Sequence, residues 1–342
     1  MTNQHPGANS SAAQASVPAS IFRAYDIRGI VETELTETAV SLISRAIGSE
    51  AREQGISRLL VGFDGRLSSP TLSRALIAGL LESGCDVVNL GLVPTPLLYF
   101  AAHTGDTDSG VMLTASHNPA NYNGIKIVFR RSCLAANQIQ DIRQRILDNR
   151  LLRGRGKLVE RDLRQTYRQA IAENIALGRR LKVVVDCGNA VPGVVAPQLF
   201  RDLGCHVHPL FCEVDGHFPN HHPDPTIPAN LELLAEQVRR HKADVGVAFD
   251  GDGDRLGLVT EQGEFIAADR LLMLLARDIL PRYPGAPIIF DVKCSRALAA
   301  LIREQGGEPV MHRSGHSFMK QKMQETGAPL GGEFAAHVFI KD

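Results

Sequence analysis

The sequence predicts an α/β fold built from three topologically similar modules, each with a mixed β-sheet. Three short apolar runs support this prediction, because each is rich in β-branched or aliphatic residues and each ends in an aspartate. Such continuous apolar runs are typical of strands that are buried on both faces of a parallel or mixed sheet. The runs occupy residues 58–64, 181–186 and 287–291.

The elements around each run recur in the same order, which is the second observation. An amphipathic helical pattern precedes each run, and a second helical pattern, a glycine and another strand follow it. The glycine lies where the C-terminal cap of a helix is expected. Strands that alternate with helices indicate α/β modules. The preceding helices are predicted near 37–54, 162–176 and 268–280, and the glycine-led strands at 84–88, 204–207 and 306–310.

Length and composition allow several domains and exclude some functional classes. A chain of 342 residues is too long for one ordinary core. Its 37 basic and 37 acidic residues balance, so no net field favours nucleic acid or an anionic membrane. No stretch approaches the roughly 20 apolar residues of a membrane span, and the N-terminus lacks a secretory pattern. We expect a cytoplasmic protein with no nucleic-acid or membrane partner; the oligomeric state is left open, with a monomer expected.

The repeats and the composition divide the chain into four segments. Residues 1–19 are rich in Ser, Ala, Gln and Asn without apolar periodicity, which is typical of a disordered tail. We place domain I at 20–161, domain II at 162–264 and domain III at 265–342. The six cysteines show neither a C-x-x-C pair nor zinc-ligand spacing, which favours scattered reduced thiols.

Each module continues into a further strand whose far end is polar. In open α/β sheets, ligands gather beyond the carboxyl ends of the strands. We therefore expect the three polar loops to share one cleft. They read Ala-Ser-His-Asn-Pro after the strand at 110–114, Asp-Gly-Asp-Gly-Asp-Arg after 244–249, and Glu-Phe-Ala-Ala-His after 329–332.

The second of these loops carries three carboxylates at alternate positions. Asp250, Asp252 and Asp254 can turn oxygen ligands toward one hard cation, while the glycines allow a tight turn. An EF-hand is the rival interpretation, since Glu261 falls at the twelfth place of such a loop. It fails because Arg255 stands where glycine is needed and strand-like runs flank the loop. A solvated acidic turn explains the charge but not three aspartates after a buried strand. The loop predicts a divalent-cation site.

The first loop places a hydroxyl nucleophile, Ser116, beside the imidazole of His117. The Asn-Pro pair predicts a turn directly afterwards. From this segment alone, a serine that caps a turn is an equally good interpretation, and the Gly-x-Ser-x-Gly pattern of esterases is absent. Ser116 and the aspartate loop at 250–255 follow equivalent strands of two modules. This placement favours a serine or phosphoserine that faces a cation. Such a pair is suited to phosphoryl transfer.

The motifs TASHNP, DGDGDR and GEFAAH, in this order and spacing, resemble those of the α-D-phosphohexomutases, especially the bacterial phosphomannomutase/phosphoglucomutase type. The resemblance runs from Ile21 to the last residue and is also carried by the segments FPNHHPDP at 218–225 and FDVKC at 290–294. It implies that the three modules are phosphohexomutase domains I–III, which share one fold. It also implies a C-terminal fourth domain that this chain would lack.

The resemblance implies a reversible transfer of a phosphoryl group between C6 and C1 of mannose or glucose phosphates. The route would pass through a phosphoserine enzyme and a hexose 1,6-bisphosphate intermediate. Mg²⁺ and a hexose 1,6-bisphosphate activator are the implied cofactors, and hexose phosphates are the implied small-molecule partners. No nucleotide is expected, because the sequence contains neither a P-loop nor a dinucleotide fingerprint.

The resemblance also implies roles for individual residues. Ser116 is expected to carry the phosphate and to share the metal with Asp250, Asp252 and Asp254. Four residues match positions around the phosphoserine, where cations and hydrogen-bond donors stabilise the transferring group: Arg28, His117, Lys126 and Arg255. Contacts to the sugar phosphate are expected from Tyr25, Arg255, Lys293, His316, Glu333 and His337, and His337 is also expected to act as a general acid or base.

The third polar loop, GEFAAH at 332–337, is called the sugar loop below. It departs from the family pattern Gly-Glu-Met-Ser-Gly-His, since Ala335 and Ala336 replace the serine and glycine of that pattern. Loss of the hydroxyl leaves a sugar hydroxyl short of one partner, at a cost of about 1 kcal/mol. The preference among mannose, glucose and glucosamine therefore stays open, and phosphoglucosamine mutase is an alternative. The chain ends in a strand at 338–342 that we expect to be unpaired. A truncated phosphosugar- or metal-binding remnant with little turnover is the alternative from another class.

Overall fold

The computed structural model describes residues 17–341. The chain divides into two compact units, residues 1–167 and 168–342, and each is described by itself. The predicted disordered tail lies outside the described residues as far as residue 16. Val17 belongs to that predicted tail but is buried at 4% exposure, and a 3₁₀ helix begins at Ala19.

Within the described residues, the first unit is built on a seven-stranded mixed sheet. Its strands are β1 (Ile27–Ile30), β2 (Arg58–Phe63), β3 (Asp86–Leu92), β4 (Gly110–Leu113), β5 (Tyr122–Phe129), β6 (Ser132–Cys133) and β7 (Leu158–Glu160). Its helices are the 3₁₀ helix Ala19–Ile21, α1 (Glu37–Glu53), α2 (Ser69–Glu82), α3 (Thr95–Thr104) and α4 (Asn137–Leu147). The order is β1-β5-β4-β2-β3-β7, with β6 paired to β5. Strand β5 is antiparallel to β4 and β1, whereas β4, β2, β3 and β7 are parallel.

The second unit contains two smaller mixed sheets within the described residues. The first is ordered β12-β11-β10-β8-β9 and the second β14-β13-β15-β16. The strands are β8 (Lys182–Asp186), β9 (His206–Leu210), β10 (Val245–Phe249), β11 (Leu256–Thr260), β12 (Phe265–Ile266), β13 (Pro287–Asp291), β14 (Glu308–His312), β15 (Leu330–Gly332) and β16 (Val338–Ile340). Helix α5 (Arg164–Asn174) spans the boundary between the units. The other helices are the 3₁₀ helices Val191–Val194 and Pro228–Leu231, α6 (Ala196–Asp202), α7 (Glu232–His241), α8 (Ala268–Ile279), α9 (Arg296–Glu304) and α10 (His316–Thr326).

All three sheets have the same central arrangement, which confirms the predicted repeat. The apolar strand β2, β8 or β13 pairs in parallel with two neighbours. The later of these neighbours in the chain, β4, β10 or β15, is followed by a strand that pairs with it antiparallel, β5, β11 or β16. Helices α2, α6 and α9 follow these apolar strands, and the glycine just beyond each helix has a positive φ: +88° at Gly84, +85° at Gly204 and +75° at Gly306. This left-handed conformation is the one expected just beyond a helix C-terminus. The fold class predicted from the sequence is therefore observed.

Helix α1 illustrates how local sequence and packing agree. The Thr36 side chain accepts a hydrogen bond from the Ala39 N–H at 3.1 Å, which caps the first turn. Ile43 and Ile47, four residues apart, face the interior and share a core cluster with Leu76 of α2. None of the helices within residues 17–341 is long and apolar enough to cross a membrane.

The strand after the sugar loop is paired, so the prediction of an unpaired strand is wrong. Strand β16 is antiparallel to β15, with Leu330 opposite Ile340 and Gly332 opposite Val338. The chain reverses at residues 333–337 and returns along the strand it has just left. The backbone groups of β16 that face β15 therefore have partners.

Candidate active site

Ser116 lies in the loop that follows β4 and is 2% exposed. Its φ is +51°, a left-handed conformation that residues other than glycine adopt uncommonly. Its N–H donates a hydrogen bond to Oγ1 of Thr114 at 2.9 Å. The loop thus holds the predicted nucleophile in a defined and unusual backbone conformation.

Neighbouring strands bring two buried cations, Arg28 and Lys126, to this part of the sheet. Strand β5 pairs with both β4 and β1, and Arg28 lies opposite Gly124. Since Gly124 and Lys126 are two residues apart, Arg28 and Lys126 point to the same face of the sheet. Arg28 also donates a hydrogen bond to Oδ1 of Asn118, which belongs to the loop that carries Ser116. The structure therefore brings Arg28 against this loop, with Lys126 on the strand beside it.

The other two predicted residues of the first unit lie in the same segments. Tyr25 is half-buried before β1, next to Asp26, whose carboxylate pairs with Arg28. His117 is half-buried and directly follows Ser116.

A residue that the sequence reasoning missed, Arg66, contacts the Ser116 loop from within the protein. It is 1% exposed and donates hydrogen bonds to the carbonyl oxygens of Ser116 and Asn118, both at 2.7 Å. Its Nε donates to Oδ2 of Asp64 at 3.1 Å. The sequence feature that could have indicated Arg66 is its position two residues after Asp64, the aspartate that ends the first apolar run.

The aspartate loop connects β10 to β11, so strands flank it on both sides as the sequence indicated. Gly253 adopts a φ of +77°, which permits the tight turn. Glu261, the residue that would complete an EF-hand, is exposed in the turn after β11. The geometry is therefore that of a strand-end turn.

The three aspartates of this loop converge. Each offers one carboxylate oxygen, and these oxygens lie within 4.8 Å of one another. Asp250 and Asp252 are fully buried. Oδ1 of Asp250 accepts the backbone N–H groups of Gly253, Asp254 and Arg255 at 3.0–3.2 Å, which fixes the turn. Because buried carboxylates are costly unless a cation accompanies them, the cluster fits a hard divalent cation.

His337 connects this loop to the sugar loop within the second unit. Its Nδ1 lies 2.7 Å from Oε2 of Glu333, and its Nε2 lies 3.0 Å from Oδ1 of Asp254. Burial alone would lower the pKa of His337, but the charge of Asp254 and the hydrogen bonds to both carboxylates raise the pKa to about 9. Both ring nitrogens of His337 are therefore within hydrogen-bond distance of a carboxylate oxygen.

Arg255 also contacts the carboxylate cluster, since its Nε lies 3.7 Å from Oδ2 of Asp250. Asp254 and Glu333 in turn both contact His337.

The other two predicted substrate contacts lie around the same loop. His316 begins α10 and is buried, with its ring centroid 6.0 Å from that of His337. Lys293 is exposed, and its N–H donates to Oδ1 of Asp291 at 3.1 Å. The same oxygen of Asp291 accepts a hydrogen bond, at 3.3 Å, from the N–H of Phe334, the residue after Glu333. Asp291 therefore links the segments of Lys293 and Glu333.

The two alanines of the sugar loop have different surroundings. Ala335 is half-exposed, whereas Ala336 is buried and has a φ of +70°. The N–H of Ala336 donates to the carbonyl of Glu333, and its own carbonyl accepts the N–H of Leu256. Ala336 thus occupies a left-handed position at which glycine is more favourable.

Fold and site together define a protein of repeated α/β modules, with a buried serine loop and a carboxylate cluster at strand ends. Comparison with known protein families extends this description. "Phosphoglucomutase/phosphomannomutase, alpha/beta/alpha domain I" matches residues 19–153, domain II of the same family matches 165–263, and domain III matches 267–342.

Individual relatives agree with the family match. The chain is 55% identical over 333 residues to a phosphomannomutase/phosphoglucomutase of Pseudomonas aeruginosa, covering 97% of this chain and 72% of the relative. It is 47% identical to a phosphoglucomutase of Neisseria gonorrhoeae, with 96% and 72% covered. A crystal structure of a family protein from Burkholderia thailandensis matches with a TM-score of 0.93 at 49% identity, covering 95% of this chain and 73% of that one. The chain belongs to the phosphoglucomutase/phosphomannomutase family.

Proposed function

We propose that this protein interconverts the 6-phosphates and 1-phosphates of hexoses, mannose or glucose, through a phosphoserine and a hexose 1,6-bisphosphate. The observation that carries the proposal is the Ser116 loop, in which a buried serine with fixed backbone conformation lies in a loop contacted by Arg28. The relatives at 47–55% identity that are named for this activity support the proposal.

In the proposed reaction, Ser116 carries the phosphoryl group and donates it to one end of the sugar. The bisphosphate then returns a phosphoryl group from its other end. Arg28 and Lys126 are cations on one face of the sheet, and they would offset the negative charge of the equatorial oxygens. His117 would add a hydrogen-bond donor beside Ser116.

Asp250, Asp252 and Asp254 are the proposed ligands of Mg²⁺. Their converging oxygens and the burial of Asp250 and Asp252 support a hard divalent cation. A cation bound there would offset the negative charge of the phosphoryl group. That Ser116 also ligates this cation stays a prediction.

In the second unit, the residues proposed to recognise the sugar phosphate are Glu333, His337, His316, Lys293 and Arg255. The role of Tyr25 in substrate binding stays a prediction. Glu333 accepts hydrogen bonds from His337 and from the N–H of Gly315. Each carboxylate oxygen has a second acceptor site, so a sugar hydroxyl can still bind Glu333. His337 is proposed as a general acid or base, with a pKa that Asp254 and Glu333 raise to about 9.

Intact-mass measurement after incubation with glucose 1,6-bisphosphate and Mg²⁺ tests the proposal. The parent protein should gain one phosphate, and Ser116→Ala should gain none. Ser132→Ala, which removes an exposed hydroxyl of β6, is the control and should behave like the parent. Turnover is then measured in a coupled assay with mannose 1-phosphate and glucose 1-phosphate. An adduct that survives Ser116→Ala, or a parent protein that gains no phosphate, would refute the assignment of the nucleophile.

A further inference from the structure

Arg66 holds four carbonyl groups of the Ser116 loop at once. Its Nη2 donates to the carbonyls of Ser116 and Asn118, and its Nη1 donates to those of Pro119 and Tyr122 at 2.6 and 3.0 Å. These carbonyls span the entire turn between Ser116 and β5. A planar guanidinium with five N–H donors can serve several acceptors in this way, whereas a lysine ammonium cannot match that geometry.

Asp64 completes the arrangement at the other end of the loop. Its Oδ2 accepts hydrogen bonds from Nε of Arg66, at 3.1 Å, and from Oγ1 of Thr114, at 2.8 Å. Oγ1 of Thr114 in turn accepts the N–H of Ser116. The buried pair Asp64 and Arg66 therefore controls the backbone on both sides of the Ser116 side chain, and we call it the loop clamp.

The conformation of Ser116 requires such support. A left-handed φ costs a residue with a side chain about 1–2 kcal/mol, so the turn needs tertiary contacts to persist. Four carbonyls bonded to one buried cation provide them. The charge of Arg66 is also balanced by Asp64, which leaves Arg66 suited to hold the backbone and not to bind a phosphate.

The other two modules contain the aspartate but not the arginine. Asp186 and Asp291, each 1% exposed, accept the N–H of the residue two positions later, at 2.9 and 3.1 Å. That residue is Gly188 in one module and Lys293 in the other. The strand-end aspartate is thus shared by the three modules, and of the residues two positions after it, Arg66, Gly188 and Lys293, the arginine belongs to the module that carries Ser116.

We propose that Arg66, oriented by Asp64, is a positioning residue that fixes Ser116 for phosphoryl transfer. This inference rests on the proposed function, in which Ser116 is the phosphate carrier. It predicts that the clamp affects the rate of transfer to Ser116 and not the affinity for the phosphate donor, because the five N–H groups of the Arg66 guanidinium are matched by five hydrogen bonds to protein groups.

The test compares Arg66→Lys with Arg145→Lys in the full chain. Arg145 is a matched control, because it is 2% exposed in the same unit and bonds to Glu50, Glu53 and the carbonyl of Arg150. Its partners lie outside the Ser116 loop. Both variants should lose thermal stability. Phosphate incorporation is then measured at several concentrations of glucose 1,6-bisphosphate, well below both melting temperatures.

We expect the maximal rate of Ser116 phosphorylation in Arg66→Lys to fall ten- to hundredfold, with the half-saturating bisphosphate concentration within about twofold of the parent value. Arg145→Lys should incorporate phosphate at the parent rate. Equal rates in the two variants would overturn the proposal, since they would mean that Arg66 only stabilises the fold. If the parent itself gains no phosphate, the proposed function fails instead.

A second variant keeps the inference testable if Arg66→Lys does not fold. Thr114→Val preserves the side-chain shape but removes the Oγ1 that joins Asp64 to the N–H of Ser116. It should also slow phosphorylation of Ser116 without changing the half-saturating concentration. A folded Thr114→Val protein with the parent rate would contradict the positioning role.

Discussion

Replacing Asp252 by Asn is expected to change the stability of the protein in opposite directions with and without Mg²⁺. The carboxylate oxygens of Asp250, Asp252 and Asp254 lie within 4.8 Å of one another. At an effective dielectric constant of about 20, two such charges repel each other by about 3 kcal/mol. The substitution keeps the size of the side chain and removes two of the three repulsive pairs.

In EDTA, Asp252→Asn should therefore be more stable than the parent, by about 1–2 kcal/mol after screening. With Mg²⁺ at about 100 times its dissociation constant, the parent gains about 2.7 kcal/mol from binding. Each kcal/mol corresponds to about 2–4 °C in a unit of this size. The variant, which lacks one anionic ligand, should gain little. The order of the two melting temperatures should thus reverse between the two buffers.

Differential scanning calorimetry in EDTA and in Mg²⁺, with titration calorimetry for Mg²⁺ affinity, checks this expectation. Asp269→Asn is the matched control, because Asp269 is buried in the same unit and accepts the N–H of Ser295 at 3.0 Å outside the aspartate loop. It should melt below the parent in both buffers. The reasoning is refuted if Asp252→Asn melts below the parent in EDTA and gains as much stability from Mg²⁺ as the parent does.

Two further predictions concern the second unit. The buried carboxylate of Asp186 raises the pKa of His221 above its ordinary value of 6.5, although burial opposes this shift. The pair therefore stabilises the folded protein fully below about pH 6.5, and the contribution is lost as the pH rises through the raised pKa. His221→Gln should reduce the free energy of unfolding more at pH 6 than at pH 9 in urea titrations, and an equal loss at both pH values would contradict this. Ala335→Ser should lower the KM for glucose 1-phosphate about fivefold by restoring a hydroxyl partner, without changing Mg²⁺ affinity; an unchanged KM would mean that this position does not contact the sugar.

The sequence was sufficient to predict the repeated modules and their order. The apolar runs that end in Asp64, Asp186 and Asp291 are the central strands of the three sheets, and the helix-ending glycines adopt the expected left-handed conformation. These features are local, because hydrophobic period and glycine conformation are decided within a few residues. The convergence of the three aspartates of the aspartate loop could be inferred for the same reason, since they lie within five residues of sequence.

Contacts between distant parts of the chain were not predictable in this way. Arg66 is separated by about 50 residues from the carbonyls that it holds, and His337 is separated by 83 residues from Asp254. No periodicity in the sequence relates such positions. The pairing of β16 with β15 was missed for another reason: both strands have only three residues, so neither gives a clear alternating pattern.

The two alanines of the sugar loop show how neighbouring substitutions can differ in their physical effect. From the sequence, Ala335 and Ala336 form a single departure from the family pattern. In the structure, Ala335 is half-exposed, so part of its surface is open to a ligand, whereas Ala336 is buried and its backbone bonds to Glu333 and Leu256. These bonds hold the turn between Glu333 and His337 in the left-handed conformation that the family's glycine would adopt freely. The change at position 336 therefore introduces backbone strain but preserves the arrangement of Glu333 and His337, so a change in sugar selectivity should arise from position 335.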